Sequence, residues 1–181
     1  MKPDILAEPI LVGRETDLNE LQQALKSTLN GKGTTIFVSG EAGSGKTRLT
    51  NEFLNYAKDN GITVLAGWCL SNVAVPYLPF VEALESYSSP NQEASKPNNQ
   101  QLEAEMWLKG PDNNQSLSPQ AWKDQTFSAV TKELLYLSAS KPVILFIDDL
   151  HWADSASLSM LHYISRSIIS ERILFIATFR T

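Results

Sequence analysis

Four short apolar runs punctuate the chain: Thr34 to Ser39, Thr63 to Cys69, Val143 to Ile147 and Ile173 to Thr178. None alternates cleanly between apolar and polar residues, which is the pattern of parallel strands covered by helices on both faces. The segments between them carry a helical repeat instead. Asp17 to Asn30 sets Leu18, Leu21, Leu25 and Leu29 on one stripe. Thr47 to Asn60 does the same with Leu49, Phe53 and Tyr56, and Gly61 follows as a natural C-terminal cap. Pro79 to Tyr87 carries Phe80, Ala83, Leu84 and Tyr87. Ser118-Pro119 is a helix start, with Ser capping and Pro in the first turn, ahead of Phe127, Val130, Leu134 and Leu137. Asp154 caps a further helix bearing Leu158, Leu161, Ile164 and Ile168. This alternation predicts an α/β fold, a parallel sheet flanked by helices on both faces.

Residues 88–118 interrupt the pattern. Ser88 to Ser116 is rich in Ser, Pro, Asn and Gln, and only Leu102 to Leu108 has the spacing of a short helix, so the stretch reads as a surface insertion. There is no internal repeat. The chain stops at Thr181, directly after its last strand-like run, as expected of a boundary inside a longer protein.

The length of 181 residues fits a single domain, and 43% hydrophobic residues suffice for a core. Fifteen Lys and Arg against twenty Asp and Glu leave a formal charge of −5, with the basic residues scattered. A nucleic-acid-binding face needs clustered Lys and Arg, so no direct nucleic-acid contact by this chain is expected. Cys69 is the only cysteine, which excludes an intramolecular disulfide. Met1 to Pro9 lacks a signal-peptide core, and the longest apolar run, Pro142 to Ile147, is far too short to span a membrane. A cytoplasmic protein without membrane contact is the expectation.

Gly40-Glu41-Ala42-Gly43-Ser44-Gly45-Lys46-Thr47 satisfies G-x-x-x-x-G-K-[ST] at every fixed position. Glycines let the backbone wrap closely around a phosphate, and successive N–H groups with the following helix N-terminus attract the anion. Lys46 would reach the β- and γ-phosphates, and the Thr47 hydroxyl would ligate Mg²⁺. The motif follows the apolar run Ile36-Phe37-Val38 and opens an amphipathic helix, the setting of a P-loop NTPase.

Val143 to Ile147 runs into Asp148 and Asp149. In a parallel sheet both carboxylates emerge at the strand edge where the phosphate loop also sits. Asp148 is the candidate Mg²⁺ partner, and Asp149 is placed to orient or deprotonate an attacking water.

Together these residues resemble a known family. The succession Leu11-Val12-Gly13-Arg14-Glu15, Gly40 to Thr47 with Arg48-Leu49, Pro76-Tyr77-Leu78-Pro79-Phe80, Asp148-Asp149-Leu150-His151-Trp152-Ala153-Asp154 and Ala177-Thr178-Phe179-Arg180 is similar to the AAA-type ATPase domain of bacterial signal-transduction ATPases with numerous domains. Such modules occur in large ATP-binding LuxR-type transcriptional regulators, class III adenylate cyclases and some multidomain Ser/Thr kinases. The resemblance spans Leu11 to Arg180. It implies binding of ATP or ADP with Mg²⁺, and it places Val12, Gly13 and Arg14 near the adenine and ribose. Residues 1–33 are then an adenine-side segment and helix within a single ATPase core covering 1–181. Arg48 joins the nucleotide-binding set, and Arg180 matches an arginine that senses the γ-phosphate. His151 and Trp152 take packing and linkage roles, and Asp154 is read as a helix cap. Trp68, Trp107 and Trp122 are read as core or loop aromatics. Family members normally continue into a further strand, a helical lid and a winged-helix segment, which this chain lacks, and the 88–118 stretch is unmatched.

The resemblance implies a switch domain that binds ATP, hydrolyses it slowly and gates effector domains in the same full-length protein. The alternative is a nucleotide-binding interaction module without significant turnover. A small-molecule kinase would need an Arg-rich lid, for which five Arg leave little material. An origin-initiator type ATPase would prefer Glu at position 149 and basic DNA-facing segments. Self-association stays open: a neighbouring subunit could supply an arginine finger from Arg166 or Arg172, and nothing in the sequence chooses between them.

Overall fold

A computed structural model of the chain describes residues 13–71, 75–87 and 118–181. Four strands, β1 (Thr34–Ser39), β2 (Thr63–Trp68), β3 (Val143–Asp148) and β4 (Ile173–Phe179), form one sheet in the order β1-β4-β3-β2. All three pairings are parallel, with Phe37 beside Ala177, Ile147 beside Ala177, and Gly67 beside Ile147. The predicted α/β architecture is therefore the observed one.

The helices are α1 (Glu15–Leu29), α2 (Lys46–Asp59), α3 (Leu78–Tyr87), α4 (Pro119–Ser140) and α5 (Ser155–Ser167), with a 3₁₀ turn at Leu150–Trp152. Period-two alternation in β3 divides the core between two faces. Leu145 and Ile147 pack with Phe127, Leu134 and Ile164 under α3, α4 and α5. Ile144 and Phe146 pack with Leu21, Leu25, Leu49 and Phe53 under α1 and α2. Complete burial of a side chain such as Phe53 or Ile144 stabilises the fold by about 1.5–3 kcal/mol.

The strands are not equivalent. β3 is buried throughout and β4 nearly so, whereas Phe37 of β1 is 50% exposed because no described strand lies beyond β1. Trp68, expected as a core or loop aromatic, instead ends the other edge strand and is half-exposed for the same reason. The Glu82 carboxylate accepts the Trp68 N–H at 3.0 Å. At Gly67 an added Cβ would lie 1.8 Å from the Pro79 carbonyl oxygen, so the backbone of α3 rests directly on β2 there.

Element boundaries differ from the sequence expectation by a residue or two. β2 ends at Trp68, leaving Cys69 to begin the following loop while its N–H still donates to the Asp148 carbonyl at 3.0 Å. β3 runs one residue further and takes in Asp148. Ser118 caps α4 through Ala121 N–H, as predicted, at 3.2 Å. The rest of the 88–118 stretch lies outside the described residues, as do Val12 and Trp107. Among the described residues, no helix is long and apolar enough to cross a membrane.

Candidate functional site

The loop from Gly40 to Gly45 joins the end of β1 to the start of α2. Gly45 is the N-cap at φ 83°, a left-handed conformation that strains any residue bearing a Cβ. The arms of the loop touch: a Cβ at Gly40 would stand 2.8 Å from Ser44 Oγ. The Ser44 N–H donates to the Glu41 carbonyl at 3.2 Å. Lys46 is only 7% exposed, and its Nζ donates to the carbonyls of Gly40 at 2.6 Å and Glu41 at 2.8 Å. The Thr50 hydroxyl binds the carbonyls of Lys46 and Thr47, both at 3.1 Å, and ties down the first turn of α2. Thr47 and Arg48 are exposed.

This arrangement fits an anionic oxygen. Ser44 Oγ is buried without a hydrogen-bond partner among the described residues. The opening N–H groups of α2 have no carbonyl a turn earlier in the helix to bind, and Lys46 brings a cation to the same place. The sequence-predicted loop residues Gly40, Glu41, Ala42, Gly43, Ser44, Gly45, Lys46 and Thr47 are thus one contiguous cradle.

Arg14 meets this loop from outside. It is the N-cap residue of α1, and one guanidinium nitrogen donates to Asp17 Oδ2 at 2.8 Å. The other terminal nitrogen donates to the Ser44 carbonyl. Gly13 precedes it at φ 79°, its N–H donating to Glu15 Oε1 at 3.2 Å. A cavity of about 280 Å³ lies beside Arg14, between Leu21 of α1, Ile36 and Val38 of β1, and Leu49 of α2. A larger one, about 820 Å³, is lined by Lys123, Phe127, Leu158, Tyr163 and Arg166 of α4 and α5, with no residue from the loop.

At the neighbouring strand ends Thr178 organises both acidic residues. Its hydroxyl donates to Asp148 Oδ1 and accepts the Asp149 N–H at 2.9 Å. The same N–H lies 3.1 Å from Asp148 Oδ1. Asp148 is 8% exposed, whereas Asp149 turns outward at φ 54°, an uncommon conformation for a residue with a Cβ that is concentrated at functional sites. Arg180 Nε approaches Asp149 Oδ1 at 4.0 Å and His151 Nδ1 approaches the same oxygen at 3.7 Å. The His151 ring lies 5.0 Å from that of Trp152, and both its nitrogens are buried without a hydrogen bond among the described residues.

No group of three or more His, Cys, Asp or Glu among the described residues could hold a metal ion. A cation here would depend on Thr47 and Asp148, with phosphate and water oxygens completing the shell. That composition suits Mg²⁺, which keeps several waters and takes few protein ligands.

Asp154 accepts N–H groups from Ala156 at 2.8 Å and Ser157 at 3.0 Å, the predicted helix cap. It also accepts the Ser157 hydroxyl, which in turn receives the Tyr77 N–H at 3.1 Å. Burial, then the Asp154 carboxylate, raises the Tyr77 phenol above its ordinary range. Burial is also the first cause pushing the Cys69 thiol up to about 12, followed by the charges of Asp154, Asp149, Glu82 and Asp148. Arg172 donates to the carbonyls of Ser138 at 2.8 Å and Ala139 at 2.7 Å, closing the C-terminus of α4. Sequence reading missed Thr178 as a bridge and Ser157 as a link to Tyr77; a hydroxyl at the end of an apolar strand was the only trace of the first.

Residues 10–176 match the AAA ATPase domain family. An uncharacterized protein of Rhizobium meliloti (strain 1021) is 24% identical over 189 residues, covering 94% of this chain and 18% of its own length. Among solved structures, Cdc6p of Pyrobaculum aerophilum matches with a TM-score of 0.56 at 15% identity, over 99% of this chain and 42% of that one. The ORC2 protein of Aeropyrum pernix, solved as ADPNP–ADP complexes, matches with a TM-score of 0.56 at 15% identity, over 98% and 44%. These structural likenesses establish the fold. The chain spans less than half the length of each of these three relatives.

Proposed function

Because the chain belongs to the AAA ATPase domain family, we propose that it is the nucleotide switch of a longer cytoplasmic signalling or transcriptional regulator, binding ATP with Mg²⁺ and hydrolysing it slowly to ADP and phosphate. The observation that carries this reading is the meeting of Asp149 with Arg180 at the ends of β3 and β4. A carboxylate able to orient water and a cation able to respond to a terminal phosphate share one place.

In this reading Lys46 and the loop N–H groups bind the phosphates, and Gly13 and Arg14 lie on the adenine side of the loop; Val12, assigned the same task by the resemblance, is outside the described residues. Arg48 belongs to the same set. Bound Mg²⁺ would neutralise phosphate charge, held by Thr47 and by Asp148, whose orientation Thr178 fixes. Asp149 holds the attacking water and receives its proton. Arg180 leaves Asp149 for the γ-phosphate, and its return after hydrolysis resets the switch. The motif resemblance supports the regulator context, and the small share of the Rhizobium meliloti protein covered by the match supports effector domains elsewhere in a longer chain. The net charge of −5 supports a domain that does not itself contact nucleic acid.

The second reading is a nucleotide-binding interaction module without significant turnover. It is favoured by the approach of both Arg180 and His151 to Asp149 Oδ1, at 4.0 and 3.7 Å, which leaves that oxygen less room to hold an attacking water. Calorimetric titration with Mg-ATP and ADP, alongside phosphate-release assays, separates the readings. Lys46→Ala should abolish binding, and Asp149→Asn should preserve binding while lowering release on the order of a hundredfold. Binding unaffected by Lys46→Ala would sink both readings; wild-type binding without phosphate release would leave the second, and release unaffected by Asp149→Asn would remove Asp149 as the base.

A further inference from the structure

We propose that Arg14 is a positioning residue of the phosphate loop: by holding the Ser44 carbonyl on the α1 side, it turns the Gly45 N–H toward the phosphates. The proposal rests on the nucleotide-binding reading and assigns Arg14 a task on the loop backbone beyond any contact with the nucleoside.

The argument begins with the peptide plane. The C=O of Ser44 and the N–H of Gly45 belong to one planar trans unit and point in opposite directions. Whatever fixes the carbonyl therefore aims the N–H. Ser44 sits between Gly43 at φ 78° and Gly45 at φ 83°. Glycine places little steric restriction on its backbone, so this peptide needs a restraint from outside the loop to hold one orientation.

Arg14 is built to supply that restraint. Its main-chain carbonyl accepts the Leu18 N–H at 3.0 Å, locking the residue onto the first turn of α1. Asp17 holds one arm of the guanidinium at 2.8 Å and directs the other onto the Ser44 carbonyl. α1 is itself immobilised, because Leu21 and Leu25 share a buried cluster with Leu49 and Phe53 of α2. The loop's outer carbonyl is thus tied, through one planar cation, to the helix pair that flanks it. Lys has no fork that can serve both partners.

Two roles for Arg14 predict different losses. A contact with adenine or ribose would be lost only with ligands that contain a nucleoside. A loop-positioning role would weaken inorganic tripolyphosphate as much as ATP. The test titrates wild type, Arg14→Ala, Arg14→Lys and the milder Asp17→Asn with Mg-ATP and with Mg-tripolyphosphate, and follows amide hydrogen exchange of the ligand-free chains. Arg14→Ala should weaken both ligands by a similar factor, on the order of tenfold, Arg14→Lys should not restore them, and Asp17→Asn should act in the same direction. Amides from Gly43 to Lys46 should exchange faster in Arg14→Ala, while those of the β3 core stay protected. Loss confined to ATP, or unchanged loop exchange, overturns the proposal. If wild type binds neither ligand, the nucleotide reading falls, and the exchange comparison still decides whether Arg14 orders the loop.

Discussion

Arg180 Nε lies 4.0 Å from Asp149 Oδ1, a contact between residues at the ends of adjacent strands. Both groups are partly exposed, at 48% and 38% of their side-chain surface, so water screens the pair and either partner can exchange it for a stronger one. A phosphate bearing two negative charges would compete well for the guanidinium.

Arg180→Ala should therefore lower the ATP-to-ADP affinity ratio by roughly fivefold or more. Binding of ADP should change little, because the proposed β-phosphate contacts belong to the loop and not to Arg180. Calorimetry with both nucleotides reads the ratio directly, and an unchanged value would remove Arg180 from the switch.

Thr178 is fully buried and bridges Asp148 to the Asp149 backbone. Replacement by Val keeps the shape and removes the hydroxyl from two partners. Thr178→Val should destabilise the fold by about 1–3 kcal/mol in urea denaturation. It should also raise the Mg²⁺ concentration needed for half-maximal ATP binding, which a purely structural hydroxyl would leave unaltered.

Asp154 caps α5 and reaches Tyr77 through Ser157. Asp154→Ala should cost about 1–2 kcal/mol. Hydrogen exchange should reveal the loss at Ala156, Ser157 and the Tyr77 amide together, since one carboxylate supports all three.

The folded protein keeps the Cys69 thiol protonated up to about 12, against an ordinary value of 9.0 in the unfolded chain. Above pH 9 the unfolded chain releases this proton while the folded one keeps it. The contribution of the buried thiol to stability is therefore intact below pH 9 and declines from there toward pH 12. Cys69→Ser or Cys69→Ala should flatten the fall in stability over that window. Alkylation at pH 8 should be slow in the native protein and fast in denaturant, because the thiolate is the reactive form.

Much of this is legible in the sequence. The stripes of Leu21 and Leu25, and of Phe127, Leu134 and Leu137, announce the helices because a repeat of 3.6 residues is written into the chain itself. Strand ends are not written there: Asp148 lies inside β3 and Cys69 outside β2, since pairing with a neighbour decides where a strand stops. Edge and centre could not be separated either, because the apolar run at Thr34–Ser39 resembles the one at Val143–Asp148 although only the second is buried throughout.

The candidate site divides in the same way. The cradle from Gly40 to Thr47 is local, so its spacing alone determines that glycine freedom, a helix start and a lysine converge. Strand order is not local. Placing β4 between β1 and β3 is what brings Thr178 onto Asp148 and Arg180 toward Asp149. Packing of α1 on α2 brings Arg14 onto Ser44, thirty positions away in sequence. The chain by itself determined which residues form the loop, because neighbouring dihedrals and side-chain types set that geometry. Only the tertiary structure decided which distant side chains orient it, because those contacts exist solely where packed elements hold them together.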